Sequence, residues 1–361
     1  MLPLRGNPTI HDVARRLNVS ATTVWRALND RPRVSASTKK RVLRAVEQLG
    51  YRPSLVAQNL SRGQTQTLGV VVPMIGNPVY ATLVRAIEQV AFQRDYNIIL
   101  CDTDFQVDRE RKYLDLLLRR KVEGILLIPF AKRTDADLAH ILALEKSGVA
   151  VVAMQQPLPG SAMPQVAPDN LNAARAMTQH LLALGHRRIA FVHSGLERWH
   201  PSMCERFEGY QLTLAEAGVS FDESLVVQAG AFEAVLADGS SGFDAERVKH
   251  LLRRPDRPSA IFAPVDVLAI RVMGVIRSLG LRIPEEVAVA GFDDIVMSAY
   301  LNPPLTTVRH PATEVGHRAA ELLFDRLEGR DRASAPPIER VPCELVIRRS
   351  CGSVPVNEVT S

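Results

Sequence analysis

Cysteine is scarce in this chain. Its 361 residues hold four, Cys101, Cys204, Cys343 and Cys351, none in a C-x-x-C pair or at zinc-ligand spacing from a histidine. Neither a metal site nor a disulfide framework is therefore expected to organise the fold, and the thiols read as buried and free in a reducing compartment. Long apolar runs are missing too: none reaches 18 residues, which excludes a membrane-spanning helix. Residues 1–16 are polar and basic rather than an apolar leader, so the expectation is a cytosolic protein. Signatures of catalysis are absent: there is no G-x-S-x-G, G-x-x-x-x-G-K, G-x-G-x-x-G or H-E-x-x-H. Asp293-Asp294 is a carboxylate pair, and His193 or His200 is a base by type. Adjacent residues on extended chain face opposite sides, so the two aspartates need not act together. No enzyme, cofactor or metal is expected, and residues 353–361 lack the leucine heptads of a tetramer-forming tail.

What is present is a charge asymmetry. Residues 1–64 carry twelve Lys/Arg against three Asp/Glu, a net +9, while the rest of the chain carries 32 against 36, a net −4, within an overall +5. A basic head on a faintly acidic body points to a polyanion as partner of the head alone.

The head reads as three helices. Thr9 caps the first, whose apolar residues Ile10, Val13, Ala14 and Leu17 follow the spacing of one buried stripe. Asn18-Val19-Ser20 interrupts it, and Ser20 caps a second helix over 21–28 with Val24 and Leu28 inward. Ser35 or Ser37 caps a third, with Val42, Val46 and Leu49 inward and Gly50 at its end. Two short helices joined by a tight turn and braced by a third make a helix-turn-helix, whose second helix enters a major groove. The residues placed there are Ala21, Thr22 and, one turn on, Arg26, which can grip guanine O6 and N7 bidentately. Ala21 and the Thr22 methyl can meet a thymine methyl. Ser20 and Thr23 can hold phosphates.

In the body, short apolar runs alternate with amphipathic helices. Strands are expected at 67–73, 97–101, 124–128 and 150–154, with helices over 79–93, 109–119 and 135–147 between them. The alternation resumes after residue 170, with strands at 188–193, near 225–228, at 260–263 and 287–291. Two tandem units of parallel sheet with helices on both faces follow, and ligands of such sheets sit beyond the carboxyl ends of the strands.

The run T-I-H-D-V-A-R-R-L-N-V-S-A-T-T-V-W-R-A-L-N, Thr9 to Asn29, closely resembles the opening of the lactose/galactose/purine repressor (LacI/GalR) family. So does V-S-A-S-T-K-K-R-V-L-R-A-V-E-Q-L-G-Y-R-P, Val34 to Pro53. The resemblance continues through 169–190, R-F-E-G-Y (Arg206 to Tyr210), A-V-A-G-F-D-D (Ala288 to Asp294), N-P-P-L-T-T-V (Asn302 to Val308) and E-L-V-I-R-R-S (Glu344 to Ser350). It implies an all-α helix-turn-helix head (1–52), a hinge helix and linker (53–66) and a type I periplasmic-binding-protein-like body (67–350), followed by a tail (351–361). The body's two subdomains are placed at about 67–168 plus 294–325 and about 169–293 plus 326–350, joined by three crossing strands.

The resemblance also implies the function: a ligand-responsive repressor that binds a palindromic operator in double-stranded DNA as a homodimer, in the cytoplasm at the nucleoid. A small sugar-like or related metabolite would control it. The alternative is a solute-binding protein without a DNA function. DNA contacts are implied for Thr9, Ser20, Ala21, Thr22, Thr23, Arg26 and Asn29 in the head, and for Ala57 and Leu60 in the hinge, where Leu60 is the minor-groove wedge. Effector contacts are implied for Tyr80, Gln155, Arg206, Phe232 and Asp293. Three departures stand out. Trp25 occupies a position where the family has a small serine, and it either packs in the core or meets the DNA backbone. Ser61 stands directly after the wedge, where the family often has a lysine or arginine. Val265 stands where the family has an effector-binding asparagine, so either the effector lacks a polar group there or it binds differently, and a hexose in the family's usual pose is disfavoured.

Overall fold

The computed structural model describes residues 8–51, 65–129, 135–158, 161–195, 201–230, 242–330 and 338–352. The chain divides into two units at Thr65/Gln66. The expected contacts Ala57 and Leu60, the ring of Phe232 and the candidate base His200 lie outside the described residues.

The first unit is built from α1 (Ile10–Leu17), α2 (Ala21–Leu28) and α3 (Ala36–Leu49). Asp12 closes the start of α1, with Thr9 N and Oγ1 both donating to Asp12 Oδ2, at 2.9 and 2.7 Å. Ser20 Oγ accepts from Thr23 N at 3.1 Å to start α2, and Ser35, rather than Ser37, caps α3 through Thr38 N at 3.2 Å. Gly50 ends α3 in the left-handed region, at φ 64°. Val13, Val24 and Val42 meet at full burial, each removal from water being worth roughly 1.5–3 kcal/mol. Ala45 is buried beside Val42, while Val46 and Leu49 pack at the cluster's edge.

The second unit holds two parallel sheets. The first runs β11-β5-β4-β3-β1-β2 and the second β7-β6-β8-β9. The first comprises β1 (Thr67–Val72), β2 (Asn97–Asp102), β3 (Gly124–Leu127), β4 (Ala150–Met154), β5 (Gln165–Pro168) and β11 (Ile338–Val341). The second comprises β6 (Ile189–His193), β7 (Val226–Gln228), β8 (Ala260–Phe262) and β9 (Ala288–Ala290). β10 (Thr307–Arg309) pairs antiparallel with β12 (Glu344–Val346). Central strands such as β1, β3 and β8 are buried almost throughout, because helices cover both faces. The helices are α4 (Pro78–Phe92), α5 (Val107–Arg119), α6 (Asp135–Lys146), α7 (Asn170–Ala183), α8 (Pro201–Glu216), α9 (Ala245–Arg253), α10 (Asp266–Ser278) and α11 (Ala312–Leu327).

The subdomain allotment differs from the expected one near the C-terminus. β11 lies within the stretch assigned to the second subdomain, yet it pairs with β5 and forms the edge of the first sheet. Residues 306–309 lie within the stretch assigned to the first, yet Thr306 bridges Ala290 and β10 pairs with β12. The parallel edge strand β11 needs a helix to carry the chain back across the sheet, and α11 supplies it.

Two signature glycines mark close approaches. A Cβ on Gly209 would lie 2.4 Å from the Leu171 carbonyl oxygen, where α7 and α8 pack backbone to backbone. A Cβ on Gly291 would lie 2.2 Å from Asp266 Oδ1. Gly209→Ala is expected to destabilise the protein by roughly 1–3 kcal/mol, because a helix carbonyl cannot step aside as a flexible side chain can. A urea melt checks it, and an unchanged midpoint would refute the tight α7–α8 contact.

Candidate functional site

The head presents one face of α2. At 100° per residue, Ala21, Val24, Ala27 and Leu28 share the side turned to the core, and Thr22 and Arg26 sit opposite. Thr22 is exposed and Arg26 half-buried, and among the described residues the Arg26 guanidinium makes no ion pair. Asn29 follows on the same face and donates Nδ2 to the Trp25 carbonyl at 2.9 Å, which closes the end of the helix. Trp25 is half-buried on the flank, outside the head's apolar cluster. Ser20 and Thr23 hydroxyls lie 2.9 Å apart at the N-terminus of α2. Two expected contacts are partly committed elsewhere: Ala21 packs against the core, and the Thr9 hydroxyl proton is used on Asp12.

In the body, the chain leaves the carboxyl ends of four strands around one cavity. After β1 come Asn77 and the first turn of α4 with Val79 and Tyr80; after β4, Gln155 and Gln156; after β9, Asp293; after β10, His310. The start of α8 adds Ser202, Met203 and Arg206, and the cap of α10 adds Val265. Thus Tyr80, Gln155, Arg206 and Asp293, the described residues among the expected effector contacts, line one cavity. The cavity is about 30 Å³, room for a water or two. A neighbouring pocket of about 240 Å³ shares Val79, Asp293 and His310.

Arg206 is buried. Its Nε donates to Asn170 Oδ1 at 2.9 Å and its Nη1 to the Pro264 carbonyl at 2.5 Å. Its guanidinium carbon lies 3.5 Å from the centroid of the Phe292 ring. Asp293 Oδ1 is 3.6 Å from Nη1. Burial pushes the Asp293 carboxyl up to about 7, with Arg206 pulling it back, and burial lowers Arg206 from its ordinary value. Asp293 is held at φ 125°, a conformation costing on the order of 1–3 kcal/mol for a non-glycine residue. Its peptide is pinned: its N donates to the Val308 carbonyl at 2.8 Å, and its carbonyl accepts from His310 N at 3.2 Å. Asp294 accepts from Arg309 Nε at 2.9 Å and Arg348 Nη2 at 2.6 Å. The two aspartates therefore have different partners, but strand alternation is not the cause: both have positive φ, 125° and 53°, so the chain is not extended here.

The sequence reading passed over His310, Gln156, Ser202 and Asp266. His310 Nε2 and Gln155 Oε1 are 2.8 Å apart, and burial, with Arg206 nearby, lowers the imidazole to about 3, so it is neutral. Because the amide oxygen accepts, Nε2 carries the proton and Nδ1 a lone pair. Among the described residues, His310 Nδ1 and Gln155 Nε2 have no partner, leaving a buried acceptor and a buried donor on cavity-lining residues. Gln156 clasps Ser202 through Nε2 to Oγ at 3.1 Å. Asp266 accepts from Thr307 Oγ1 and Ser298 Oγ, both at 2.6 Å, and from Ile295 N at 3.1 Å, tying α10 to the segment after Asp293. The position of His310 directly after a strand was the available signal. His193, the candidate base, is lowered to about 4 by burial and takes Gly195 N on Nδ1 at 3.0 Å, and it does not line this cavity. Among the described residues, no group of three or more His, Cys, Asp or Glu can hold a metal ion, and no helix is long and apolar enough to cross a membrane.

Residues 9–54 match the family model of bacterial regulatory proteins, lacI family, and residues 178–351 that of a periplasmic binding protein-like domain. The chain is 33% identical over 344 residues to the HTH-type transcriptional repressor PurR of Photobacterium profundum, covering 95% of this chain and 98% of that one. Among solved structures, the transcriptional regulator CelR–cellobiose complex is 31% identical, with a TM-score of 0.66, covering 95% of this chain and 99% of that one. The lac repressor dimer bound to operator and the anti-inducer ONPF shares the fold, with a TM-score of 0.82 at 24% identity, covering 96% of this chain and 99% of that one. This chain belongs to the LacI family of bacterial regulatory proteins. It is a DNA-binding transcriptional regulator, with a helix-turn-helix head and a periplasmic-binding-like effector body.

Proposed function

We propose that the protein is a cytoplasmic repressor, not an enzyme. Two heads of a homodimer hold a pseudo-palindromic operator through the Thr22–Arg26 face of α2, with Ser20 and Thr23 on phosphates and Ala57 and Leu60 in the hinge. The observation that carries this reading is the arginine on the solvent face of α2, without an ion pair among the described residues, opposite a helix side committed to the core. Trp25, on the flank of that face, lies beside the backbone of a bound duplex. A solute-binding role alone leaves the basic head without a purpose.

The effector is a small sugar-like or related metabolite. Its hydroxyls meet Arg206 and Asp293, and its remaining polar groups meet Gln155 Nε2 and His310 Nδ1. One apolar edge faces Val265, where an amide would otherwise hold a hydroxyl; Tyr80 and Phe232 supply rings for stacking. The CelR–cellobiose complex, a similar regulator with a sugar bound, supports a small-molecule effector of this kind.

The test is selection of duplexes from a random library by the full chain, with thermal-shift screening against aldoses, disaccharides, sugar acids and nucleobases. Inverted half-sites are expected, with centres about 34–36 Å or multiples of that apart. Enrichment of no sequence would refute the operator reading.

A further inference from the structure

Arg206 does not hold its place alone. Its Nε donates to Asn170 Oδ1 at 2.9 Å, and the same amide's Nδ2 donates to Glu205 Oε2 at 3.1 Å. Glu205 in turn receives both arms of one guanidinium: Arg340 Nη1 to Oε2 at 3.0 Å and Nη2 to Oε1 at 2.6 Å. Arg340 also donates Nη1 to the Pro168 carbonyl at 3.2 Å. Asn170 is fully buried and uses both ends of its amide, so it can hold this orientation and no other without losing a bond.

The ends of this chain of contacts lie in different subdomains. Arg340 is on β11, in register with Ala167 of β5 in the first sheet. Glu205 and Arg206 are neighbours on α8, which packs on α7 in the second subdomain. Asn170 opens α7 directly after the crossing from β5. The relay thus runs along two places where the chain passes between the sheets, 168–170 and 341–344. A bidentate arginine–carboxylate pair has fixed geometry, so it transmits rotation where a single contact would swivel. Glu205 is only partly exposed, which shields the pair from solvent on its acidic side.

We propose that Glu205 and Arg340 are positioning residues: through Asn170 they couple the Nε side of Arg206, whose Nη1 is held in the second subdomain by the Pro264 carbonyl, to the first subdomain, so that a change in the angle between subdomains is delivered to the effector arginine. The functional consequence rests on the reading of Arg206 as an effector contact; the mechanical coupling does not.

The experiment reads the Arg206 Nε–H directly, by ¹⁵N-edited NMR of the full-length protein, with the resonance assigned by its loss in Arg206→Lys. In Arg340→Met and in Glu205→Gln, this Nε–H is expected to shift and to exchange with water about tenfold faster, because its acceptor is no longer braced. In Arg340→Lys, which keeps the charge but not the two-armed grip, about threefold is expected. If Arg340→Met does not fold, Arg340→Lys and Glu205→Gln carry the test. A role confined to stabilising the edge strand would lower the urea midpoint and leave this resonance unmoved, and that result overturns the proposal. If the resonance responds while Arg206→Lys keeps every thermal shift found in the screen, the relay stands and the effector reading falls.

Discussion

Arg26→Ala is expected to remove most of the protein's preference for its selected operator while leaving binding to random DNA nearly unchanged. A bidentate arginine–guanine contact discriminates by about 1–3 kcal/mol, or roughly 5- to 150-fold, and a dimer loses two such contacts. Random duplex is held by charge on the phosphates, to which one base-reading side chain adds little. Competition between the selected duplex and random DNA at fixed salt separates the two. If Arg26 instead gripped a phosphate, the variant would weaken both duplexes alike and lower the salt slope by about one. That outcome would move the base-reading role to Thr22 and Asn29.

Asp293→Asn is expected to silence the effector response and, at neutral pH, to make the protein more stable. The cause lies in the balance at the site. Arg206 attracts the carboxylate, yet burial outweighs the attraction and lifts Asp293 from 3.8 to about 7. A carboxyl group raised in the folded state supports stability below its unfolded value, and the support is lost as pH rises through the folded one. Wild type therefore falls behind the asparagine variant between about pH 4 and 7, by on the order of a few kcal/mol at the top of that range. His310 titrates in the opposite sense: lowered from 6.5 to about 3, it costs stability as pH falls below 6.5, in both proteins alike, so it cancels in the difference. Urea melts at pH 4.5 and 7.5 measure the gap. An asparagine variant less stable at both pH values would show that the attraction to Arg206 dominates. The buried carboxylate at φ 125° would then no longer be a stability cost retained for ligand binding.

The head was largely legible in the sequence because its signals are local. Capping residues, one apolar stripe per helix and a terminal glycine fix α1, α2 and α3 with little help from distant contacts. The same holds for the strands of the body, whose apolar runs are buried on both faces. The pieces that escaped notice depend on the tertiary arrangement. β5, β10, β11 and β12 are short stretches that mix apolar with polar residues or proline (Q-V-A-P, T-V-R, I-E-R-V and E-L-V), so no apolar run marks them. α11 has a clear apolar side, Val315, Ala319, Leu323 and Phe324, yet follows a segment read for its signature rather than its periodicity. At the cleft, Arg206 and Asp293 stood inside recognisable runs. Gln155 and His310 announce nothing alone; they become a pair only because β4 and β10 end side by side. The relay from Arg340 to Arg206 joins positions 135 residues apart at its outer pair, a separation no local pattern bridges. Ala21 shows the converse: its place at the start of α2 suggested a groove contact, while its methyl also packs on the core.

The central claim is that occupancy of the cleft and occupancy of the operator are linked. The direct measurement is the dissociation constant of the full-length protein for its selected duplex, titrated with a compound that raises its melting temperature, and then the reverse titration. Linkage requires both constants to change by the same factor, expected at about 5- to 150-fold. Identical operator affinity with and without a saturating compound would contradict the account.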